Sequence, residues 1–130
     1  MNENEMIVPE LKTPEDIAKY TVQILDSHKA KDLRLLHVFD QTIIADYFVI
    51  CTGNSSTQLR SLADEVEYKL GLAGVDPIHV EGDGNCGWML LDFASVIVHI
   101  FDLRSRGFYD LEKLYSEDAV VDIADLLTED

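Results

Sequence analysis

The chain has 130 residues, of which 47% are hydrophobic and 27% charged, and its 25 acidic against 10 basic side chains give a formal net charge of -15. These values are typical of one soluble globular domain that buries its own core. The acidity argues against extensive nucleic-acid contact, because affinity for phosphates comes mainly from lysine and arginine, and no apolar run approaches the ~18 residues of a membrane-spanning helix. Such a surface favours a basic protein partner, although acidity can also serve solubility alone.

The cysteines and the N-terminus favour a cytoplasmic protein. Cys51 lies in an apolar run and Cys86 in an acidic turn. This pattern indicates neither a disulfide framework nor an activated thiolate. Residues 1–16 lack the apolar core of a secretory signal and the arginine-rich character of a transit peptide. We therefore expect the mature chain to begin here, with a flexible segment over 1–12 and one domain over 13–116.

The first predicted elements alternate between helix and strand. Thr13 is a suitable N-cap and Pro14 a suitable first helical residue, and apolar side chains at helical spacing extend this helix to about Lys29. A partly exposed strand is predicted over 33–39. The continuously apolar run 47–52 predicts a central strand that is buried on both faces.

The following segment predicts a second helix and a hairpin. The turn 53–56 opens an amphipathic helix that closes near Gly71. A short strand is predicted over 77–80, and two strands over 88–93 and 95–101 are separated by so little chain that they should form a tight hairpin.

The last third of the pattern completes an α/β domain. Residues 108–115 have short helical character, and 117–130 are an acidic tail or a last helix with apolar residues on one face. Early alternation of helix and strand followed by a late hairpin predicts a single α/β domain, with helices packed on a mixed five-stranded sheet.

No catalytic or metal-binding set is predicted, and no cofactor. The turn Gly53-Asn54-Ser55-Ser56 could hold an anion at a helix N-terminus, but it lacks the lysine of a Walker loop, so helix capping is the favoured interpretation. The four histidines lack the i, i+4 spacing of helical metal ligands. His79 and His99 could converge only if their strands are neighbours, and His99 in an apolar strand is typical of a hydrogen-bonded structural histidine.

The strand that begins at Trp88 contains the best candidate for a recognition surface. On a period of two, Trp88, Leu90 and Asp92 share one face, and the residues between them share the other. One of these faces must pack on helices. If the Trp88 face is the outer one, a large aromatic ring, a leucine and a carboxylate are available to a basic partner; otherwise Trp88 belongs to the core.

Four stretches of sequence form a specific combination. They are DYFVICTGNSS at 46–56, VEG at 80–82, GWMLLDF with VIVHIF over 87–101, and RGFYDLEKLY at 106–115. Together they resemble the ribosomal silencing factor family, also called the Iojap family, over about 14–119. The resemblance implies a nucleotidyltransferase-like fold, but this chain lacks the paired catalytic aspartates that follow a Gly-Ser turn in those enzymes.

The resemblance also implies a function without catalysis. Such a protein would bind ribosomal protein fourteen of the large ribosomal subunit, sterically block its association with the small subunit, and repress translation under nutrient limitation. The implied contact residues are the anchor Trp88, its apolar neighbour Leu90, the acceptors Asp92 and Glu112, and the flanking residues Tyr109 and Leu111. Arg106 could instead pair with a carboxylate within the domain. The alternatives are homodimerisation through the same hairpin and a small nucleotide-binding or nucleotidyl-transferring enzyme that uses the turn 53–56.

Two positions depart from the family pattern. The hairpin turn has Ala94-Ser95 where the family usually has Gly-Asp, and alanine tolerates a positive φ poorly, so we expect a different turn type. Tyr115 replaces a tryptophan and keeps an aromatic ring of another shape.

Overall fold

One mixed sheet of six strands organises the computed structural model, which describes residues 8–83, 85–115 and 117–128. Two long helices cover one face of the sheet, and the segment 103–115 packs against the other. The elements are α1 (Pro14–Ser27), β1 (Lys31–His37), β2 (Tyr47–Gly53), α2 (Ser56–Leu72), β3 (His79–Glu81), β4 (Trp88–Asp92), β5 (Val96–Asp102), α3 (Leu103–Tyr109) and β6 (Val120–Val121), with 3-10 helices at Leu111–Leu114, Glu117–Ala119 and Ala124–Leu126. In the described residues, no helix is long and apolar enough to cross a membrane.

The strand order is β3-β4-β5-β2-β1-β6, in which β2 and β5 are parallel and the other neighbours antiparallel. This confirms the mixed sheet, the β4–β5 hairpin and the central position of β2. The predicted number of five strands is wrong. Because the sixth, β6, has only two residues, it is too short to show the alternation by which a strand is recognised.

The C-terminal segment differs from the predicted helix. Val120 and Val121 pair with Leu36 and Leu35 of β1, and the residues around them form two 3-10 helices. Apolar residues at 120, 123, 124 and 127 imitate helical spacing, but pairing of β6 with the exposed side of β1 determines the path of this segment. Of the predicted flexible segment 1–12, residues 1–7 lie outside the described part of the chain.

Helix α1 begins where the local sequence predicts. The Thr13 side chain accepts a hydrogen bond from the Asp16 N–H at 3.1 Å, and the Asp16 carboxylate accepts one in return from the Thr13 N–H. This capping box, with Pro14 in the first turn, satisfies amide donors that have no partner within the helix. The helix ends at Ser27, and Lys29 then adopts a left-handed φ of 68°.

The two faces of the sheet bury separate layers. Toward α1 and α2, the core includes Val49, Cys51, Met89, Leu91, Phe93, Val98 and Ile100. The opposite layer includes Leu36, Phe48, Ile50, Ile97 and Phe101, with Trp88 and Leu90 packed against it. The structure therefore shows which side of β4 faces the helices. Met89 and Leu91 point toward α1 and α2. Trp88 and Leu90 lie on the opposite side of the sheet, which we call the outer face.

Ala94 in the β4–β5 turn has a left-handed backbone conformation, which alanine rarely adopts. Ala94 has a φ of 71°, its N–H donates to Asp92 Oδ1 at 2.7 Å, and the Phe93 N–H donates to the Val96 carbonyl at 2.9 Å. Alanine therefore occupies a left-handed position in this turn. The hairpin hydrogen bonds hold Ala94 in a conformation that its Cβ disfavours.

Replacing Ala94 with glycine should raise the free energy of unfolding by about 1 kcal/mol, because glycine adopts this φ without steric conflict. Equilibrium unfolding in urea measures the change. The matched control is Ser95→Gly in the same turn, where the native φ is not left-handed and glycine should destabilise. Equal or lower stability of Ala94→Gly would contradict the assignment of strain to this residue.

Candidate functional site

An aromatic cluster occupies the outer face at the start of β4. The Trp88 ring lies 4.6 Å from that of Tyr109, 5.0 Å from that of Phe101 and 5.8 Å from that of His99, measured between centroids. Helix α3 delivers Tyr109, and it starts directly after β5 because the Asp102 carboxylate caps it, accepting the Ser105 N–H at 2.7 Å. Trp88 remains partly exposed, so the cluster presents an aromatic surface to solvent while Phe101 and Tyr109 pack against the indole.

A groove of about 270 Å³ opens beside this cluster. Its lining residues are Glu81, Gly82, Cys86, Trp88, Leu90 and Tyr109. Three of them, Trp88, Leu90 and Tyr109, are predicted contact residues, and the structure brings them together at one place. Glu81 was missed by sequence reasoning, but it pairs with Leu90 across β3 and β4 and therefore shares its face.

Gly82 allows the turn after β3 to approach β4 closely. Its φ is +95°, and a Cβ at this position would collide with the carbonyl oxygen of Trp88. A larger residue would therefore push the turn away from Trp88 and widen the groove.

Below the groove, His99 is buried and hydrogen-bonded to the candidate anchor. Trp88 Nε1–H donates to His99 Nδ1 at 3.2 Å. Burial lowers the pKa of His99 to about 4, so the ring is neutral near pH 7. The prediction that His99 is hydrogen-bonded within an apolar strand is confirmed. Within the described residues, no group of three or more histidine, cysteine or carboxylate side chains is placed to hold a metal ion.

The buried guanidinium of Arg106 fastens the segment 103–115 to the sheet. It donates to the Asp32 carbonyl at 2.6 Å, to Thr52 Oγ1 at 2.9 Å, and to both carboxylate oxygens of Glu112 at 3.2 and 3.0 Å. Only 7% of Arg106 is exposed. The alternative that it pairs with a carboxylate within the domain is confirmed.

The three other predicted contact residues do not line the groove. Asp92 lies at the hairpin end of β4 and uses Oδ1 in the turn, and both oxygens of Glu112 are bound to Arg106. Leu111 packs partly buried against the outer layer. The structure therefore distinguishes an aromatic part, made of Trp88, Leu90 and Tyr109, from carboxylates that already have partners within the chain.

The turn 53–56 caps α2. Ser55 Oγ accepts the Gln58 N–H at 3.1 Å, and the Asn54 N–H donates to the Gln58 side chain. These bonds already occupy amides that an anion would need, in agreement with the capping interpretation. Burial raises the pKa of the Cys51 thiol to about 12, which keeps it protonated.

Comparison with known proteins connects this arrangement to one family. A family model described as "Ribosomal silencing factor during starvation" matches residues 11–130. The ribosomal silencing factor of Bacillus subtilis is 33% identical over 107 residues, which cover 82% of this chain and 91% of that protein. A mouse protein named "Mitochondrial assembly of ribosomal large subunit protein 1" is 31% identical over 98 residues, covering 73% of this chain and 43% of the mouse protein. A crystal structure from Chromobacterium violaceum superposes with a TM-score of 0.77 at 30% identity, covering 88% of this chain and 98% of the other.

Acidification should destabilise the fold through His99. Because its folded pKa of about 4 lies below the ordinary 6.5, the unfolded chain takes up a proton between these values that the folded chain does not, and stability is lost as the pH falls through this window. Between pH 7 and 4.5, the wild-type protein should lose about 2 kcal/mol more than His99→Asn, which cannot titrate. Urea unfolding at both pH values measures the difference, and equal losses would show that His99 does not titrate this low.

Arg106→Lys should lower the free energy of unfolding by about 2 kcal/mol, because lysine keeps the charge but cannot bind both oxygens of Glu112 together with Thr52. The matched control is Arg104→Lys, which changes an exposed arginine in the same helix. Equilibrium unfolding compares the two. A loss no larger than that of the control would contradict the fastening role of Arg106.

Proposed function

Because the chain belongs to the ribosomal silencing factor family, we propose that it acts in the cytoplasm by binding ribosomal protein fourteen of the large ribosomal subunit. Bound there, it would sterically block association with the small subunit and so repress translation under nutrient limitation. The observation that supports this proposal is the partly exposed Trp88 on the outer face, supported by Tyr109 and flanked by Leu90 at the groove. An aromatic anchor that the partner covers, surrounded by a polar rim, is a usual centre of a protein interface.

Charge complementarity supports a basic protein as the partner. The net charge of -15 attracts basic surfaces, and Glu81 places a carboxylate at the rim of the groove. The same charge disfavours extensive contact with ribosomal RNA. An interface of ~800 Å² on each side would be large enough to be specific and to occupy a surface that the small subunit needs.

The predicted contact residues would contribute in different ways. Trp88, Leu90 and Tyr109 would be covered by the partner. Asp92 and Glu112 already accept hydrogen bonds within the chain, so we propose that they act mainly as charges that favour encounter with a basic surface. Leu111 would widen the apolar area from the adjacent 3-10 helix.

Self-association through the hairpin region is a second proposed function. The edge strand β3 is exposed, and Ile78 and Val80 present apolar side chains there. A homodimer formed through this hairpin region would compete with ribosome binding. Light scattering with and without the partner protein tests this, since the partner should convert dimers into one-to-one complexes.

Trp88→Ala should abolish co-sedimentation with isolated large subunits and restore subunit joining, because truncation removes the anchor and leaves a cavity beside Tyr109. Sucrose-gradient sedimentation measures both effects. The matched control is Tyr68→Ala, an exposed aromatic on α2 at the opposite side of the sheet, which should bind like the wild type. Undiminished binding by a folded Trp88→Ala protein would show that the anchor is elsewhere.

Calorimetry separates this proposal from the alternative of a nucleotide-binding enzyme. The silencing function predicts no binding of ATP or GTP in the presence of magnesium. Tight binding that Ser55→Ala weakens would favour an enzyme that uses the turn 53–56.

A further inference from the structure

The indole of Trp88 has little freedom left to choose its orientation. Tyr109 and Phe101 pack close to the ring, and its single polar atom, Nε1, donates to His99 Nδ1 at 3.2 Å. A buried indole N–H normally requires an acceptor. Ring packing restricts the position of the indole, and the hydrogen bond selects which of its edges points inward.

His99 accepts this hydrogen bond with Nδ1, and its second ring nitrogen, Nε2, then remains without a partner in the described residues. Because Nδ1 accepts, Nε2 must carry the proton of the neutral ring, and Nε2 is buried with no hydrogen-bond partner in the described part of the chain. Phe48 meets the His99 ring edge-on at 5.0 Å, and Phe101 stacks on it at 6.0 Å. An apolar residue would suit this aromatic surrounding better than a histidine, so the fold itself gains little from the imidazole.

We propose that His99 is a positioning residue for docking: it accepts the indole N–H and thereby holds Trp88 in the orientation in which the partner protein meets it. The inference rests on the proposed function, in which Trp88 is the anchor. A fixed anchor binds more tightly because its rotamer is ordered before the encounter. Without the acceptor, the N–H would also be left unpaired once the partner covers the ring.

Two substitutions separate positioning from packing. His99→Leu has a similar bulk but no acceptor, and it also removes the unpartnered Nε2. His99→Asn keeps an oxygen close to the place of Nδ1. Because Trp88 is the single tryptophan of the chain, its fluorescence reports on this site alone.

For His99→Leu, we expect a folded protein at least as stable as the wild type at pH 7, with lower fluorescence anisotropy of Trp88 and stronger quenching by acrylamide. Its affinity for large subunits should fall about tenfold, which corresponds to about 1.4 kcal/mol. His99→Asn should keep the wild-type fluorescence and bind within about twofold of the wild type. Sedimentation titration and time-resolved fluorescence measure these effects.

A measurement on the unaltered protein covers the case in which His99→Leu does not fold. The ultraviolet resonance Raman band of the indole N–H reports the hydrogen bond of Trp88 directly, and a free N–H would overturn the inference. Unchanged anisotropy or unchanged binding in folded His99→Leu would also overturn it. Failure of the wild-type protein to bind large subunits would instead overturn the proposed function.

Discussion

The outer face of the sheet depends on the buried guanidinium of Arg106. Helix α3 has only seven residues, too few to be stable alone, and the 3-10 helix that follows it has four. A buried charge is costly unless all its donors are bonded, and this one meets a backbone carbonyl of β1, a hydroxyl of β2 and the carboxylate of Glu112. Because few other paths of the segment 103–115 would satisfy these donors, Tyr109 is held at the place where it packs against Trp88.

The same arrangement explains how the aromatic cluster around Trp88 can remain partly exposed and still be held in place. Phe101 belongs to the central part of the sheet, and its neighbour on β2 is Thr52, which binds Arg106. Trp88, one strand further out, pairs with Phe101. The support of the partly exposed ring is therefore continuous with the buried parallel pair β2 and β5, and not with a loop.

The sequence predicted most of the fold because its signals are local and strong. The cap at Thr13 and the apolar run of β2 each act within a few residues, and the structure confirms both elements. The errors have a different origin. The strand count was wrong because β6 depends on the free edge of β1, which is distant in the chain. The pairing of Arg106 with a carboxylate within the domain was predicted as an alternative, whereas its partners Asp32 and Thr52, 74 and 54 residues away, were not. The site was partly predictable because some of its contacts are local. The alternation of side chains along β4 places Trp88 and Leu90 on one face, whereas Glu81 joins them only through the pairing of β3 with β4.

In the proposed function, charged residues and the aromatic anchor contribute to binding in different ways. Asp92 and Glu112 are committed to bonds within the chain, so a partner gains little by burying them, and their charges remain available to attract a basic surface through solvent. Trp88 has the opposite character: it has no charge, and its only polar atom is satisfied by His99. Long-range charge governs how fast two proteins meet, and well-packed aromatic area governs how slowly they separate. In this domain, salt should therefore affect the association rate, whereas the orientation of Trp88 should determine the lifetime of the complex.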